Sequence, residues 1–150
     1  MSKVYRHKIR ARDKYLGRVK SQGKVYKARF LFNKYIGRVD VTNGRVYQAR
    51  FGPDKYIGRV DLNTGKVYLA RFGPDQYLGQ VSRDGKFFHY KRLARDEYLG
   101  RITKMASFGH GGAAFLLLVL PTLQEEIDLS LEDEEESASE GQGELKTTVT

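Results

Sequence analysis

The residue types that most often carry chemistry are few in this chain and lie far apart. His7, His89 and His110 are its three histidines, and none has a second ligand at metal-binding spacing. Cysteine is absent, which excludes disulfides and thiolate metal sites. Gly109-His110-Gly111-Gly112 is glycine-rich but lacks the lysine and hydroxyl that a phosphate loop requires. No serine, histidine and carboxylate stand in a nucleophile signature. The sequence therefore assigns no catalytic, cofactor-binding or metal-binding residue, and the expectation is a protein without enzymatic activity or cofactor.

Arginine is more suggestive. Arg18, Arg38, Arg59 and Arg101 recur in one phrase and Arg29, Arg50 and Arg71 in a second, each with Tyr or Phe close by. Placed on one face, they would form a basic array with interleaved aromatics, the combination that phosphate backbones and stacked bases require. The alternative is that outward strand positions are charged for solubility and to discourage edge pairing.

Those arginines belong to a repeat. The phrase Y-[LI]-G-[RQ]-[VI] begins at Tyr15, Tyr35, Tyr56, Tyr77 and Tyr98, at spacings of 20, 21, 21 and 21 residues. Between the copies lie GKVYKARF (23–30), GRVYQARF (44–51), GKVYLARF (65–72) and the divergent GKFFHYKR (85–92). Lys3-Val4-Tyr5 is a degraded copy of the second phrase, so the array starts half a repeat early. A fixed period of this length signals a repeat architecture.

Both phrases read as strands with a period of two, Tyr56, Gly58 and Val60 opposing Ile57, Arg59 and Asp61. The links are turn-sized. Leu62-Asn63-Thr64-Gly65 and its equivalents end in glycine, while Gly52-Pro53-Asp54 and Gly73-Pro74-Asp75 supply a preset φ and an aspartate able to bond the backbone. The pattern predicts ten short antiparallel strands in about five hairpins. The recurrent Tyr, Gly, Val and Ala positions read as packing, the mid-strand glycine marking a bend or a close approach. His7 and His89 fall at matching places in the first and last hairpins, two residues after Tyr5 and two after Phe87, and read as marks of atypical, capping repeats.

After Lys104, glycines 109, 111 and 112 release the chain from the sheet and Ala113 to Leu120 is apolar throughout. This segment, 109–123, is expected to plug the hairpins as a short helix or a last strand, or else to form an oligomer contact. The fold class is thus all-β, antiparallel hairpins around a short C-terminal apolar segment, in a domain spanning 1–123. Residues 124–150 form an acidic tail whose composition argues for disorder, with a brief strand possible where Ile127, Leu129 and Leu131 alternate with polar residues.

Charge divides the same way. Up to Lys104, 26 Lys and Arg stand against eight acids, a net of +18; beyond it, ten acids and one lysine give −9. The N-terminus lacks the apolar core of a signal peptide, and the longest apolar run is too short to span a bilayer, so a cytoplasmic protein without a membrane span is expected.

The GKVYxARF and YxGRV units with the terminal GGAAFLLLVL resemble the bacterial four-fold β-flower family, in which β-hairpins are arranged like petals. The resemblance covers residues 3–120 and implies the hairpin fold, without a catalytic residue or an activity to carry across. The units are also similar, more weakly, to MORN repeats, from which the absence of tryptophan departs. Two functions stand as expectations: a non-enzymatic β-repeat module, structural or bound to an unknown protein partner or to further copies of itself, or a binder of nucleic acid or another polyanion through Arg18, Arg29, Arg38, Arg50, Arg59, Arg71 and Arg101, masked by the acidic tail.

Overall fold

The computed structural model describes the backbone of residues 1–149 and the side chains of residues 1–135. Ten antiparallel strands close into a barrel: β1 (Ser2–Arg6), β2 (Lys14–Val19), β3 (Lys24–Ala28), β4 (Asn33–Val39), β5 (Arg45–Gln48), β6 (Lys55–Val60), β7 (Lys66–Leu69), β8 (Gln76–Val81), β9 (Lys86–His89) and β10 (Glu97–Ile102). Each strand pairs with its neighbours in sequence, and β1 pairs with β10.

The half repeat at the N-terminus makes that closure possible. Across β10 and β1, Gly100, Arg101 and Ile102 face Arg6, Tyr5 and Val4. Across β4 and β5, Gly37, Arg38 and Val39 face Gln48, Tyr47 and Val46 in the same way. The seam between first and last strands is therefore one more copy of the internal joint. A closed ring has no end to cap, so the capping account of His7 and His89 is replaced. The register also sets Tyr5 and Phe88 in equivalent places, opposite Tyr15 and Tyr98, which aligns His89 with Arg6 and not with His7.

Simple alternation fails at one residue in every hairpin. Val25 faces Gly37 but Tyr26 faces Tyr35, leaving Ile36 as an extra residue, and the same shift recurs in all five hairpins. The bulge inverts the pleat. Tyr56 stays on the outside, 38% exposed, whereas Gly58 and Val60 face inward. The tyrosines are thus not core residues; they pair across each hairpin on the outer wall, with ring centroids 5.6 Å apart for Tyr26 and Tyr35 and 5.8 Å for Tyr47 and Tyr56. The core consists of the valines of both phrases, among them Val25, Val46, Val60, Val67 and Val81, all buried. The recurrent glycine has a specific reason. A Cβ at Gly58 would stand 2.3 Å from the carbonyl oxygen of Tyr68 on the next strand and 3.0 Å from Leu116 inside the barrel.

The apolar segment fills the barrel as a helix. Ser107 caps α1 (Phe108–Ala114), its hydroxyl accepting from the amide of His110. A π-helical turn (Phe115–Val119) comes next, and Ala113 through Leu120 are all buried. The 13 residues from Phe108 to Leu120 rise about 20 Å at 1.5 Å each, the length of a six-residue strand. The glycines before them do not release the chain, as expected, but lie within α1. A Cβ at Gly112 would fall 2.3 Å from that of Val60, and one at Gly111 would fall 2.7 Å from a methyl of Val81. Helix and wall approach so closely that only glycine fits.

The compact unit containing the barrel ends at Leu120, and residues 121–150 form a second unit. The latter is the helix α2 (Leu120–Val149), so the strand suggested by Ile127, Leu129 and Leu131 does not form. These three are half exposed, and every side chain from Gln124 to Glu135 is exposed. The side chains of the remaining tail residues, on which the expectation of disorder also falls, lie outside the described residues.

Candidate functional site

The seven arginines fall into two groups. Arg18, Arg38, Arg59 and Arg101 are half-buried on the outer wall, distributed around the barrel and not gathered on one flat face. Arg38 lies over the ring of Tyr47 at 4.3 Å, Arg59 over Tyr68 at 4.1 Å and Arg101 over Tyr5 at 4.2 Å, each bridging to the next hairpin. Their Nε atoms meet carboxylates from the outer turns: Arg38 to Asp54 at 3.1 Å, Arg59 to Asp75 at 3.0 Å and Arg101 to Asp13 at 3.6 Å. Asp54 and Asp75 therefore bind the wall and not the backbone of their own turns. By contrast, the inner-turn aspartates Asp40 and Asp61 accept from Thr42 and Asn63, and those hydrogen bonds hold both carboxyls below the usual range. Partial burial, followed by the charges of Asp54 and Asp75, raises the hydroxyls of Tyr35 and Tyr56 above the ordinary phenol value.

Arg29, Arg50 and Arg71 are exposed and stand at the hairpin tips. Arg50 donates from Nε to the carbonyl of Pro53 at 2.8 Å, and Arg71 to that of Pro74 at 3.0 Å. The Nε bond fixes each guanidinium at the turn while its terminal amino groups keep no partner among the described residues. Arg29 lines an open groove with Phe30, Leu31, Phe32 and Lys34.

Sequence reasoning missed the residues that stand directly after these arginines. The repeat phrase groups Phe30, Phe51 and Phe72 with the strands, yet they are 98%, 107% and 106% exposed, and β5 and β7 end before them. Ile9 and Leu93 occupy the equivalent tips of the first and last hairpins and are likewise exposed. The signal was available: residues 9, 30, 51, 72 and 93 recur at a constant 21, and Gly-Pro directly after Phe51 and Phe72 marks a turn. Because the barrel is a closed meander of antiparallel strands, all five tips lie at one rim.

That rim is basic. The tip segments 8–13, 29–34, 50–55, 71–76 and 91–96 hold 11 Lys and Arg against Asp13, Asp54, Asp75 and Asp96. Three of those four acids are paired with wall arginines and Lys91 pairs with Glu97 at 3.2 Å, whereas Arg29, Arg50 and Arg71 have no carboxylate partner among the described residues.

The histidines do not converge. His7 contacts Asp13 at 3.3 Å, and its ring lies tilted against that of Tyr98 with centroids 5.1 Å apart. His110 is buried, with Nε2 at 2.9 Å from the carbonyl of Ser21 and Nδ1 at 2.8 Å from the hydroxyl of Ser107, so it ties the start of α1 to an inner turn. His89 has a buried Nδ1 without a hydrogen-bond partner among the described residues. Burial, then the charge of Lys91, lowers its affinity for a proton. Among the described residues no group of three or more His, Asp or Glu is placed to hold a metal ion, and no helix is long and apolar enough to cross a membrane.

The fold and site together define a class: a closed barrel of repeated β-hairpins filled by its own C-terminal helix. No family model, curated protein or solved structure matches the chain.

Proposed function

We propose that the chain is a non-enzymatic β-barrel module that binds a polyanion through the basic rim of its hairpin tips, in competition with its own acidic segment. The observation that carries this reading is the disposition of the arginines. The barrel interior is occupied by Phe115, Leu116 and Leu117, so a ligand meets the outside. There, Arg38, Arg59 and Arg101 are committed to tyrosines and aspartates, whereas Arg29, Arg50 and Arg71 are displayed at the tips. Kinship with the β-flower proteins, supported by the hairpins around an apolar segment, and a cytoplasmic location belong to the same proposal.

The full chain is expected to be retained on heparin at low salt and released as salt rises, since displaced counterions drive such binding. R29A/R50A/R71A should elute earlier than wild type by more than R38A/R59A does, because removing a wall arginine takes away a cross-hairpin contact and only secondarily a rim charge. Passage of the wild-type chain through heparin unretained at low salt would leave a structural or protein-binding role in its place. The committed Arg-Tyr-Asp contacts between hairpins favour that second reading.

A further inference from the structure

The apolar residues at the tips are not all alike. Phe30, Phe51 and Phe72 sit on three consecutive hairpins, each directly after an Ala-Arg pair, and each ring stands in solvent on both faces. Leaving a phenylalanine in water forfeits the burial that normally stabilises it, and here the same position does so three times. Two of the tips are also stiff and open. Gly52 and Gly73 adopt φ of 91° and 92° with nothing within 4 Å of a Cβ position. The following proline carbonyls accept from Arg50 and Arg71, and the aspartates after them are tied to Arg38 and Arg59.

We propose that Phe30, Phe51 and Phe72 are base-stacking platforms for single-stranded nucleic acid, with Arg29, Arg50 and Arg71 receiving the phosphates. This rests on the polyanion reading above and narrows it. Sequence-tolerant binders of single strands combine a positively charged track with aromatic faces, and each tip supplies both parts one residue apart. Neighbouring hairpin tips are two strands, or roughly 10 Å, apart at a strand spacing of about 4.8 Å. A stacked strand advances about 3.4 Å per nucleotide, so successive rings engage bases about three nucleotides apart, or fewer on an extended strand. A second copy of the rim is an unfavourable occupant, because like charges would face each other. The anchors typical of a bilayer interface are Trp and Tyr, whereas this chain has no Trp and its tyrosines pair, tilted ring to ring, on the wall.

The test compares three probes on the full chain at low salt: a fluorescent 12-nucleotide oligothymidylate, an abasic phosphodiester of the same length and charge, and heparin. Oligothymidylate should bind at least tenfold more tightly than the abasic strand. F30A/F51A/F72A, whose changes lie in solvent and spare the core, should weaken oligothymidylate binding at least about 30-fold while leaving heparin binding within about twofold. Equal affinity for the two strands, or a triple variant that binds oligothymidylate like wild type, overturns the stacking while heparin binding preserves the polyanion reading. Failure to bind any of the three overturns both. Phosphatidylserine vesicles serve as a fourth probe, and preferential binding to them, lost in I9A/L93A, would replace the nucleic acid by a lipid surface.

Discussion

At the scale of single residues, His89 shows how one position departs from its repeat. Its equivalents are Arg6, Lys27, Gln48 and Leu69, each at the second inward place of its strand, as the register with the neighbouring glycine shows. Only the histidine leaves a buried ring nitrogen unpartnered among the described residues. Burial holds its proton affinity below the ordinary histidine value, with Lys91 adding to the effect and Glu97 opposing it. The sign comes from linkage. Near and below the ordinary value, about 6.5, the unfolded chain takes up a proton that the folded chain resists, so stability falls as pH drops through 6.5 and levels off below the depressed folded value. His89→Leu, which copies the equivalent Leu69, should flatten the dependence of the melting temperature between pH 7.5 and 5. An unchanged slope in that variant would assign the acid sensitivity elsewhere. Sequence spacing alone pairs His89 with His7, because it counts from Phe87 and not from Phe88. The one-residue difference between strand registers is visible only once the pairing is known.

At the scale of elements, the hairpins were legible and the bulges were not. Glycine-ended turns, a two-residue period and the 21-residue repeat carry their meaning in local sequence. The extra residue at Leu16, Ile36, Ile57, Leu78 and Leu99 is defined only by what the neighbouring strand does. It turns the tyrosines outward and brings Gly37 and Gly58 beneath the central helix. Closure is similar: the half repeat at residues 3–5 was visible, but its pairing with β10 is a long-range contact. The apolar segment was legible as a buried piece, because eight consecutive apolar residues ahead of an acidic run need cover, but only the packing shows that the barrel supplies it and not a second copy. Its packing gives a direct prediction. Leu117 is 6% exposed, and its methyls lie within 3.0 Å of where a Gly37 Cβ would be. Leu117→Asp would place a carboxylate in a filled interior without a partner, a cost of several kcal/mol against a total stability of about 5–15 kcal/mol for a typical domain. Thermal unfolding followed by circular dichroism should show the variant melting far below wild type or unfolded at 25 °C, and coincident melts would remove the helix from the core.

At the scale of the whole molecule, the proposed function makes the division of charge the control on how tightly the rim binds. The segment up to Lys104 carries +18 and the remainder −9, and covalent linkage keeps the acids at high effective concentration. Exposed ion pairs are individually worth less than about 1 kcal/mol, and their attraction is screened beyond about 8 Å at physiological salt. The proposed competition by the acidic segment would therefore be the sum of many weak encounters, with a strength that depends steeply on salt. Removing residues 124–150 leaves the barrel and its internal helix complete, since the buried positions end at Leu123 among the described residues. The truncated chain should melt within a few degrees of the full one while binding heparin severalfold more tightly at low salt, the difference narrowing as salt rises. If the acids serve only solubility, truncation would instead give equal affinity with a greater tendency to aggregate. Titrating both forms at two salt concentrations separates the accounts, and identical low-salt affinities would exclude the competition.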